Sequence, residues 1–353
     1  MEVVDANQYR AHGTSLLHSA GNPLLRVSDL TIRFRVNDFR VNNQSESTVL
    51  KQISFAVPAG KIVGMLGESG CGKTTIALSI MRLLAPACMV SGSIQFREVN
   101  LRELDERQLR KIRGSEISII YQDSNVLNPV MRVGDQVMEV LRAHKRSPVS
   151  QMREEIFALF GAIGLEDHDR IYQAYPHQLS GGQRRRITIA QALICKPRLV
   201  IADEPTSGLD SDTANEIVDV IAKLRNLYNT AFLLITHDPD TLAAVADEIL
   251  VMYAGQIVES GPIREVFAQP RHPYTQALLQ CSARAMPTEK MNGRKTALPF
   301  IPGHAPDPAE SLPGCSFAER CRDRMPVCNS QPPELIEVSG TRSVRCFKYE
   351  EGA

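Results

Sequence analysis

The pattern of apolar and polar positions along the chain predicts an α/β core preceded by an antiparallel sheet. Continuous apolar runs at residues 62–66, 199–202 and 231–235 are typical of strands buried on both faces of a parallel sheet. Between residues 24 and 57, apolar residues instead alternate with polar ones, as in strands with one exposed face. We therefore expect antiparallel strands first, interrupted by a polar insertion at residues 37–48, and then parallel strands joined by helices.

A long segment inside this core has helical periodicity and little strand signal. Residues 124–180 carry patterns such as the apolar positions of residues 152–163, and an amphipathic helix follows that ends near Ile194. We therefore predict a helical subdomain at about residues 124–195. It is inserted into the α/β core, which ends near residue 260 after two short strands.

Composition narrows the class of protein. The 353-residue chain has 40 lysine and arginine residues and 40 aspartate and glutamate residues, so a nucleic-acid partner is not expected. Apolar runs stay short of the roughly 18 residues that a membrane-spanning helix needs. The first 23 residues are polar and lack the apolar stretch of a signal peptide. We expect a loosely attached polar tail at residues 1–23 and a soluble chain in the cytoplasm.

One stretch between the first parallel strand and the next helix fits the phosphate-binding pattern GxxxxGK[ST]. It comprises Gly67, Glu68, Ser69, Gly70, Cys71, Gly72, Lys73, Thr74 and Thr75. Its glycines allow backbone N–H groups and the helix N-terminus to surround phosphate oxygens. Lys73 is expected to reach the β- and γ-phosphates, and Thr74 to bind Mg²⁺. The order of strand, loop and helix therefore predicts a site for a nucleoside triphosphate.

Polar residues follow two of the apolar runs, where the carboxyl ends of parallel strands place ligands. Asp203 and Glu204 follow the run at residues 199–202, and His237 follows the run at residues 231–235. Asp203 is suited to hold Mg²⁺ through water, and Glu204 to orient or deprotonate an attacking water. His237 is a candidate contact for the γ-phosphate. The alternatives are that Asp203 and Glu204 are an acidic strand end without a function, and that His237 makes only structural hydrogen bonds.

The helical segment closes with Leu-Ser-Gly-Gly-Gln at residues 179–183, which places two glycines after a serine at a predicted helix start. Such a terminus can bind a second anion, although Ser-Gly-Gly alone is more often a turn. The arginines at residues 184–186 would by themselves form a solvated helix face.

These motifs, with Gln122 after a predicted strand and a tight connection at residues 207–210, resemble the ATPase subunits of ATP-binding-cassette (ABC) transporters. The resemblance covers about residues 24–260. The Leu-Ser-Gly-Gly-Gln signature belongs to this family alone among phosphate-loop ATPases. The implied fold is an α/β phosphate-loop ATPase core with an antiparallel β subdomain and an inserted helical subdomain.

The resemblance also implies roles for the site residues. Two subunits, either copies of this chain or this chain and a sister, would form a head-to-tail dimer. ATP would lie between the phosphate loop of one subunit and the signature of the other, so that Ser180, Gly182 and Gln183 serve the partner's nucleotide. Gln122 would contact Mg²⁺ and the membrane subunits. Glu204 would act as the catalytic base, and His237 would clamp the γ-phosphate.

Two features depart from the family pattern. Gly208 stands where the family usually has alanine, and the aromatic residue that stacks on adenine is not identifiable. Phe39 is a candidate for that stacking role, but it is as readily a surface or core residue. Neither departure removes a catalytic group.

Residues 261–353 look like the C-terminal extension of the dipeptide and oligopeptide importer ATPases, whose relatives include nickel importers. The resemblance rests on Arg-His-Pro-Tyr-Thr-Gln-Ala-Leu-Leu at residues 271–279, Ile-Pro-Gly at residues 301–303 and Leu-Pro-Gly-Cys-Ser-Phe at residues 312–317. It implies import of peptides, with nickel or another small solute as the alternative. The implied partners are two membrane permease subunits and, indirectly, an extracytoplasmic substrate-binding protein. The implied location is the cytoplasmic face of the inner membrane.

Four of the eight cysteines, Cys315, Cys321, Cys328 and Cys346, crowd this small extension. A disulfide framework is not expected in a reducing compartment, so the cluster is interpreted first as a metal site. Its spacing is wider than that of common zinc sites, and four-cysteine ligation also suits an iron–sulfur cluster. Some members of the resembling branch carry a [4Fe–4S] cluster here. Iron–sulfur, zinc and free thiols stay open, and we expect a structural site too far along the chain from Lys73 to join hydrolysis.

Two other classes of protein compete with a transporter ATPase. A soluble ATPase of DNA repair or translation would have two motif sets, or a coiled-coil or zinc-finger insertion. The sequence has one set and no such insertion. A regulatory module without turnover would lack Lys73, Glu204 or His237, and all three are present. The sequence therefore favours a transporter ATPase.

Overall fold

The computed structural model describes residues 22–38, 43–123, 126–282, 300–307, 310 and 312–350. Phe39, the candidate for adenine stacking, lies outside these residues. The strands are β1 (Leu25–Asp38), β2 (Asn43–Val57), β3 (Ile62–Leu66), β4 (Cys88–Phe96), β5 (Val99–Asn100), β6 (Ile117–Ile120), β7 (Leu199–Asp203), β8 (Ala231–Thr236), β9 (Glu248–Tyr253), β10 (Gln256–Pro262), β11 (Ile336–Ser339) and β12 (Arg342–Val344).

Single helices connect β3 to β4, β5 to β6, β7 to β8 and β8 to β9, whereas four helices follow one another between β6 and β7. The helices are α1 (Lys73–Ile80), α2 (Glu106–Ile112), α3 (Val133–His144), α4 (Val149–Ala162), α5 (His168–Gln173), α6 (Gly181–Leu193), α7 (Ser211–Tyr228), α8 (Pro239–Val245), α9 (Ile263–Ala268) and α10 (Pro273–Gln280). The run from α3 to α6 forms a helical layer on the sheet.

Two sheets build the molecule. The smaller is antiparallel, with strand order β2-β1-β4-β5. Its β1 and β2 stay paired from Leu25 opposite Val57 out to Asp38 opposite Asn43. The expected polar insertion at residues 37–48 is therefore wrong for its described residues, which continue the two strands. Antiparallel pairing satisfies the backbone whether or not the side chains are apolar.

The larger sheet has the order β11-β12-β10-β9-β3-β8-β7-β6. From β9 to β6 neighbouring strands are parallel, and from β9 to β11 they are antiparallel. The last two strands, β11 and β12, belong to the C-terminal extension, so this extension enlarges the core sheet. A buried ion pair of 3.0 Å between Glu259 of β10 and Arg342 of β12 stabilises the pairing of the extension with the core sheet.

Both faces of the parallel strands are covered, which explains their continuous apolar runs. In β3, Ile62 and Leu66 belong to the core shared with the helical layer, whereas Val63 and Met65 belong to the core shared with α1 and the antiparallel sheet. This confirms the predicted α/β class. No helix among the described residues is long and apolar enough to cross a membrane.

Candidate nucleotide-binding site

The phosphate loop joins β3 to the N-terminus of α1, as its sequence predicts. Gly70 and Gly72 have φ values of +83° and +107°, a region that residues with a Cβ rarely adopt. A Cβ at Gly72 would lie 2.6 Å from Cδ2 of Leu50. Gly72 is the N-cap of α1 and has no side chain to accept a hydrogen bond from the first turn. The N–H groups of that turn therefore remain available to bind an anion. The loop therefore has the backbone geometry that an anion needs.

Lys73 is buried and lies folded across its own loop. Its Nζ donates to the carbonyl oxygens of Gly67 at 2.7 Å and Glu68 at 3.0 Å. Both of these partners are neutral, so neither cancels the charge of the ammonium. The side chain thus places a positive charge in the loop that the backbone N–H groups surround.

Asp203 ends β7 beside α1, and the Thr74 hydroxyl lies near its carboxyl group. Burial raises the pKa of Asp203, and the nearby charge of Glu204 adds to this, whereas the Thr74 hydroxyl and the charge of Lys73 lower it. Its buried Oδ1 has no hydrogen-bond partner among the described residues. A carboxylate oxygen without a partner beside a threonine hydroxyl fits Mg²⁺ or a water bound to it.

Glu204 and His237 meet at the same edge of the sheet. Oε1 of Glu204 lies 2.9 Å from Nδ1 of His237, and the Thr236 hydroxyl donates to Oε2 at 3.2 Å. Glu204 is buried, whereas the His237 side chain is 60% exposed. Glu204 also has a φ of +48°, a strained value for a residue with a Cβ. The structure thus brings the candidate base and the candidate phosphate contact into direct contact with each other.

Arg185, one of the three arginines after the signature, was not expected to take part in the site. Its side chain is buried, so the expected solvated face is wrong for this residue. It donates to the carbonyl oxygens of Tyr121 at 2.7 Å, Gln122 at 2.9 Å and Glu204 at 3.2 Å. Arg185 therefore ties the strained backbone of Glu204 to the segment that carries Gln122.

The spacing of α6 contained the signal for this buried arginine. Arg185 precedes the buried Ile189 by four residues and the buried Ala192 by seven, which places all three on one helix face. The neighbouring Arg186 reaches the carbonyl oxygen of Ile163 and pairs with Glu216 at 2.6 Å.

The signature forms the N-terminus of α6 through a capping box. The amide of Gln183 donates to the Ser180 hydroxyl at 3.2 Å, and the amide of Ser180 donates to the Gln183 side chain at 3.1 Å. Ser180, Gly182 and Gln183 line an open depression together with Gly208 and residues of α7. The residues that line it include none from the phosphate loop of the same chain.

Gly208 lies in the tight connection between β7 and α7, with a φ of +74°. This left-handed conformation suits glycine and would strain alanine, the residue usual in the family. Glycine at this position is therefore compatible with the local backbone.

The four clustered cysteines approach one another. The amide of Cys315 donates to the carbonyl oxygen of Cys328 at 2.8 Å. Burial raises the pKa of Cys315 to about 11, and the charges of Cys328, Cys321 and Cys346 add to the rise. All four are free thiols. Among the described residues, however, no group of three or more His, Cys, Asp or Glu side chains is arranged to hold a metal ion, so the metal site stays a prediction.

Comparison with known proteins identifies the family of this chain. The ABC transporter family matches residues 50–207, and the family described as the oligopeptide/dipeptide transporter, C-terminal region, matches residues 258–328. A probable peptide ABC transporter ATP-binding protein of Sinorhizobium fredii is 40% identical over 331 residues, which cover 93% of this chain and 96% of the relative. The oligopeptide transport ATP-binding protein OppD of Salmonella typhimurium is 39% identical over 331 residues, 94% of this chain and 95% of OppD.

Solved structures of similar fold are ATPase cassettes. A dimeric ATP-binding cassette, MJ0796, in a post-hydrolysis state bound to ADP and Pi, has a TM-score of 0.60 and 26% identity. The match covers 68% of this chain and 99% of that one. The protein cbiO1 of Clostridium perfringens, part of an ABC transporter complex, has a TM-score of 0.59 and 26% identity over 70% of this chain and 92% of its own. The chain therefore belongs to the ABC transporter family and is an ATP-hydrolysing subunit of the branch that carries the oligopeptide/dipeptide C-terminal region.

Proposed function

We propose that this chain hydrolyses ATP to drive import of dipeptides or oligopeptides through a membrane complex. The observation that carries the proposal is the convergence of Lys73, Thr74, Asp203, Glu204 and His237 at one edge of the larger sheet. Peptide cargo is supported by the C-terminal family match and by the names of relatives such as OppD. Nickel or another small solute is the alternative cargo.

In the proposed reaction the phosphate loop, Gly67 to Thr75, holds the triphosphate through its N–H groups and Lys73. Mg²⁺, held by Thr74, Asp203 and Gln122, would neutralise phosphate charge. Glu204 orients a water and accepts its proton while the water oxygen bonds to the γ-phosphorus. The bond from that phosphorus to the bridging oxygen breaks, which gives ADP and phosphate. His237 leaves Glu204 to contact the γ-phosphate.

We propose a head-to-tail dimer with a sister subunit or a second copy of this chain. The position of Ser180, Gly182 and Gln183 in a depression apart from their own phosphate loop supports this, since a nucleotide in that loop would need a partner's signature. Closure of the dimer on ATP and its opening after hydrolysis would provide the movement for transport.

The proposed contact with the two permease subunits lies beside Gln122 on the cytoplasmic face of the inner membrane. Tyr121, Val126 and Val130 expose 37%, 49% and 82% of their surface, which is unusual for apolar residues so close together in sequence. A permease segment that covers them would link membrane movement to Gln122 and, through Arg185, to Glu204. The test is the composition of the complex purified from the host's membranes, where we expect two polytopic proteins and a second ATPase.

We further propose that the four clustered cysteines bind a [4Fe–4S] cluster. Four neighbouring thiols are the donor set of such a cluster. The four cysteines are spaced more widely along the chain than the ligands of common zinc sites, which favours iron–sulfur over zinc. Zinc and free thiols remain the alternatives, and the proposed role is to fix the fold of the extension.

Analysis of anaerobically purified protein tests this metal site. We expect about four iron and four sulfide per chain, lost in Cys328→Ser and unchanged in Cys195→Ser, which removes a thiol outside the cluster. Zinc in stoichiometric amount without sulfide, or neither metal, would contradict the iron–sulfur proposal.

A further inference from the structure

Glu68, the second residue of the phosphate loop, is held by the C-terminal extension. Its carboxylate accepts two hydrogen bonds from Arg320, at 2.8 Å from Nη1 and 2.9 Å from Nη2. The two residues are 252 positions apart in the chain. The paired, parallel contacts are the strongest geometry between a guanidinium and a carboxylate. A loop that receives phosphate groups is thus connected directly to a segment far from it in sequence.

The backbone of Glu68 is fixed as well. Its amide donates to the hydroxyl of Tyr274 at 3.0 Å, and its carbonyl oxygen accepts the hydrogen bond of 3.0 Å from Lys73. The side chain, the amide and the carbonyl of Glu68 are therefore each held by a different residue. Movement of Glu68 would displace the carbonyl that Lys73 contacts.

Arg320 is itself immobilised by its surroundings. Its Nε donates to the carbonyl oxygen of Pro302 at 2.8 Å, and Nη1 donates to the Tyr253 hydroxyl at 3.2 Å. The side chain is 7% exposed. Rings of Tyr253, Tyr274 and Phe317 pack together beneath it, with centroids 4.7 to 5.4 Å apart. A guanidinium stays charged in proteins, so the contact with Glu68 is an ion pair. These contacts hold the guanidinium of Arg320 in one orientation, directed toward the phosphate loop.

The charge of Glu68 needs such a partner. A carboxylate in a phosphate-binding loop repels the triphosphate, and the Glu68 side chain is 27% exposed, so water screens this repulsion only in part. An arginine bound to both oxygens cancels the charge and keeps the carboxylate turned toward the extension. The site then presents Lys73 and the backbone N–H groups to an incoming anion.

We propose that Arg320 is a positioning residue of the nucleotide site, which neutralises Glu68 and holds the phosphate loop in the form that binds ATP. The proposal rests on the nucleotide site described above and goes beyond it, because it gives the C-terminal extension a part in ATP binding. Arg320 is not a catalytic residue, since it contacts the loop and not the nucleotide.

The test measures Mg²⁺–ATP affinity of the full-length chain by titration, in a Glu204→Gln background so that ATP is not consumed. We expect Arg320→Met to weaken ATP binding about tenfold at low salt, the order of effect of one unpaired charge near an anion. The deficit should shrink at 0.5 M salt, because salt screens the repulsion from the freed carboxylate. A loss of folding stability alone would not depend on salt in this way.

Three further variants separate the proposal from a general loss of structure. Arg324→Met removes an exposed arginine of the same segment that contacts Asn329, and we expect normal affinity. Arg320→Lys keeps the charge but loses the paired contacts, so we expect a loss of affinity clearly smaller than that of Arg320→Met. Glu68→Gln combined with Arg320→Met should recover most of the lost affinity, since no free carboxylate remains.

The outcomes are distinguishable from failure of the proposed function. If the parent chain binds no ATP, the nucleotide site itself is wrong. If the parent binds ATP and Arg320→Met binds it equally well, Arg320 does not position the loop. A loss in Arg320→Lys as large as in Arg320→Met, or no recovery in the double variant, also overturns the proposal. The lysine and double variants decide the matter if Arg320→Met fails to fold.

Discussion

Replacing Glu204 by glutamine is expected to lower ATP turnover about 10³-fold and to leave ATP bound, because a general base contributes roughly 10²–10⁴ to rate. Glutamine keeps the size of the side chain and can still accept the hydrogen bond from Thr236, but it cannot take a proton from water. The loss should therefore fall on kcat and not on affinity for ATP. Steady-state phosphate release and ATP binding by the same preparation measure the two effects.

Glu265→Gln provides a matched control, since Glu265 is an exposed glutamate in the first turn of α9. We expect this variant to hydrolyse ATP at the rate of the unaltered protein. Normal turnover by Glu204→Gln would show that another group activates the water. Loss of ATP binding together with turnover would instead show that Glu204 supports the fold of the site.

Replacing Arg185 by methionine is expected to lower both stability and turnover. Methionine fills much of the same space but donates no hydrogen bond, so the carbonyl oxygens of Tyr121, Gln122 and Glu204 lose a charged donor. Loss of buried hydrogen bonds to a charged group costs about 1.5–3 kcal/mol each, and partial rehydration reduces the sum. We expect the free energy of unfolding to fall by about 3 kcal/mol.

The effect on turnover shows whether Arg185 positions Glu204 or only stabilises the fold. Arg185 holds the backbone of Glu204, so we expect at least about a tenfold fall in kcat in the folded Arg185→Met protein. Arg184→Met is the control, because Arg184 donates only to the carbonyl oxygen of Leu179 among the described contacts. Thermal denaturation and steady-state kinetics measure the two quantities. Reduced stability with unchanged kcat would assign Arg185 to the fold alone.

Much of the fold could be predicted because the parallel strands of the larger sheet are buried on both faces. Such strands are mostly apolar along their length, and their apolar runs are visible in the sequence without knowledge of the neighbouring strands. The phosphate loop is equally local, since glycines at fixed positions and the following helix make the site. The order of strand, loop and helix was therefore confirmed for residues 62–80.

The contacts that sequence could not reveal join distant parts of the chain. Strands β11 and β12 are short, and only their position beside β10 makes them part of the larger sheet. The spacing of α6 places Arg185 on the buried face of that helix, but it does not identify the three carbonyl oxygens that its guanidinium contacts. A backbone carbonyl can accept a hydrogen bond whatever its side chain, so the sequence did not predict these partners.

Distance along the chain gave no indication that the C-terminal extension contacts the phosphate loop. Its cysteines were expected to form a structural site too far along the chain from Lys73 to join hydrolysis, and this stays a prediction. The structure places Arg320, the residue before Cys321, in contact with Glu68, whose carbonyl oxygen contacts Lys73. The fold brings together segments whose separation in sequence carries no information about distance in space. The extension therefore belongs to the surroundings of the phosphate loop.

The most direct test of a transporter ATPase is the set of proteins that accompany the tagged chain from detergent-solubilised membranes of its host. We predict that the unaltered chain brings two polytopic proteins and a second ATPase. The variant Val126→Asp/Val130→Asp should keep the second ATPase and lose both polytopic proteins, because a charge in the proposed contact cannot be buried without a partner. Recovery of only soluble partners with the unaltered chain would contradict the account.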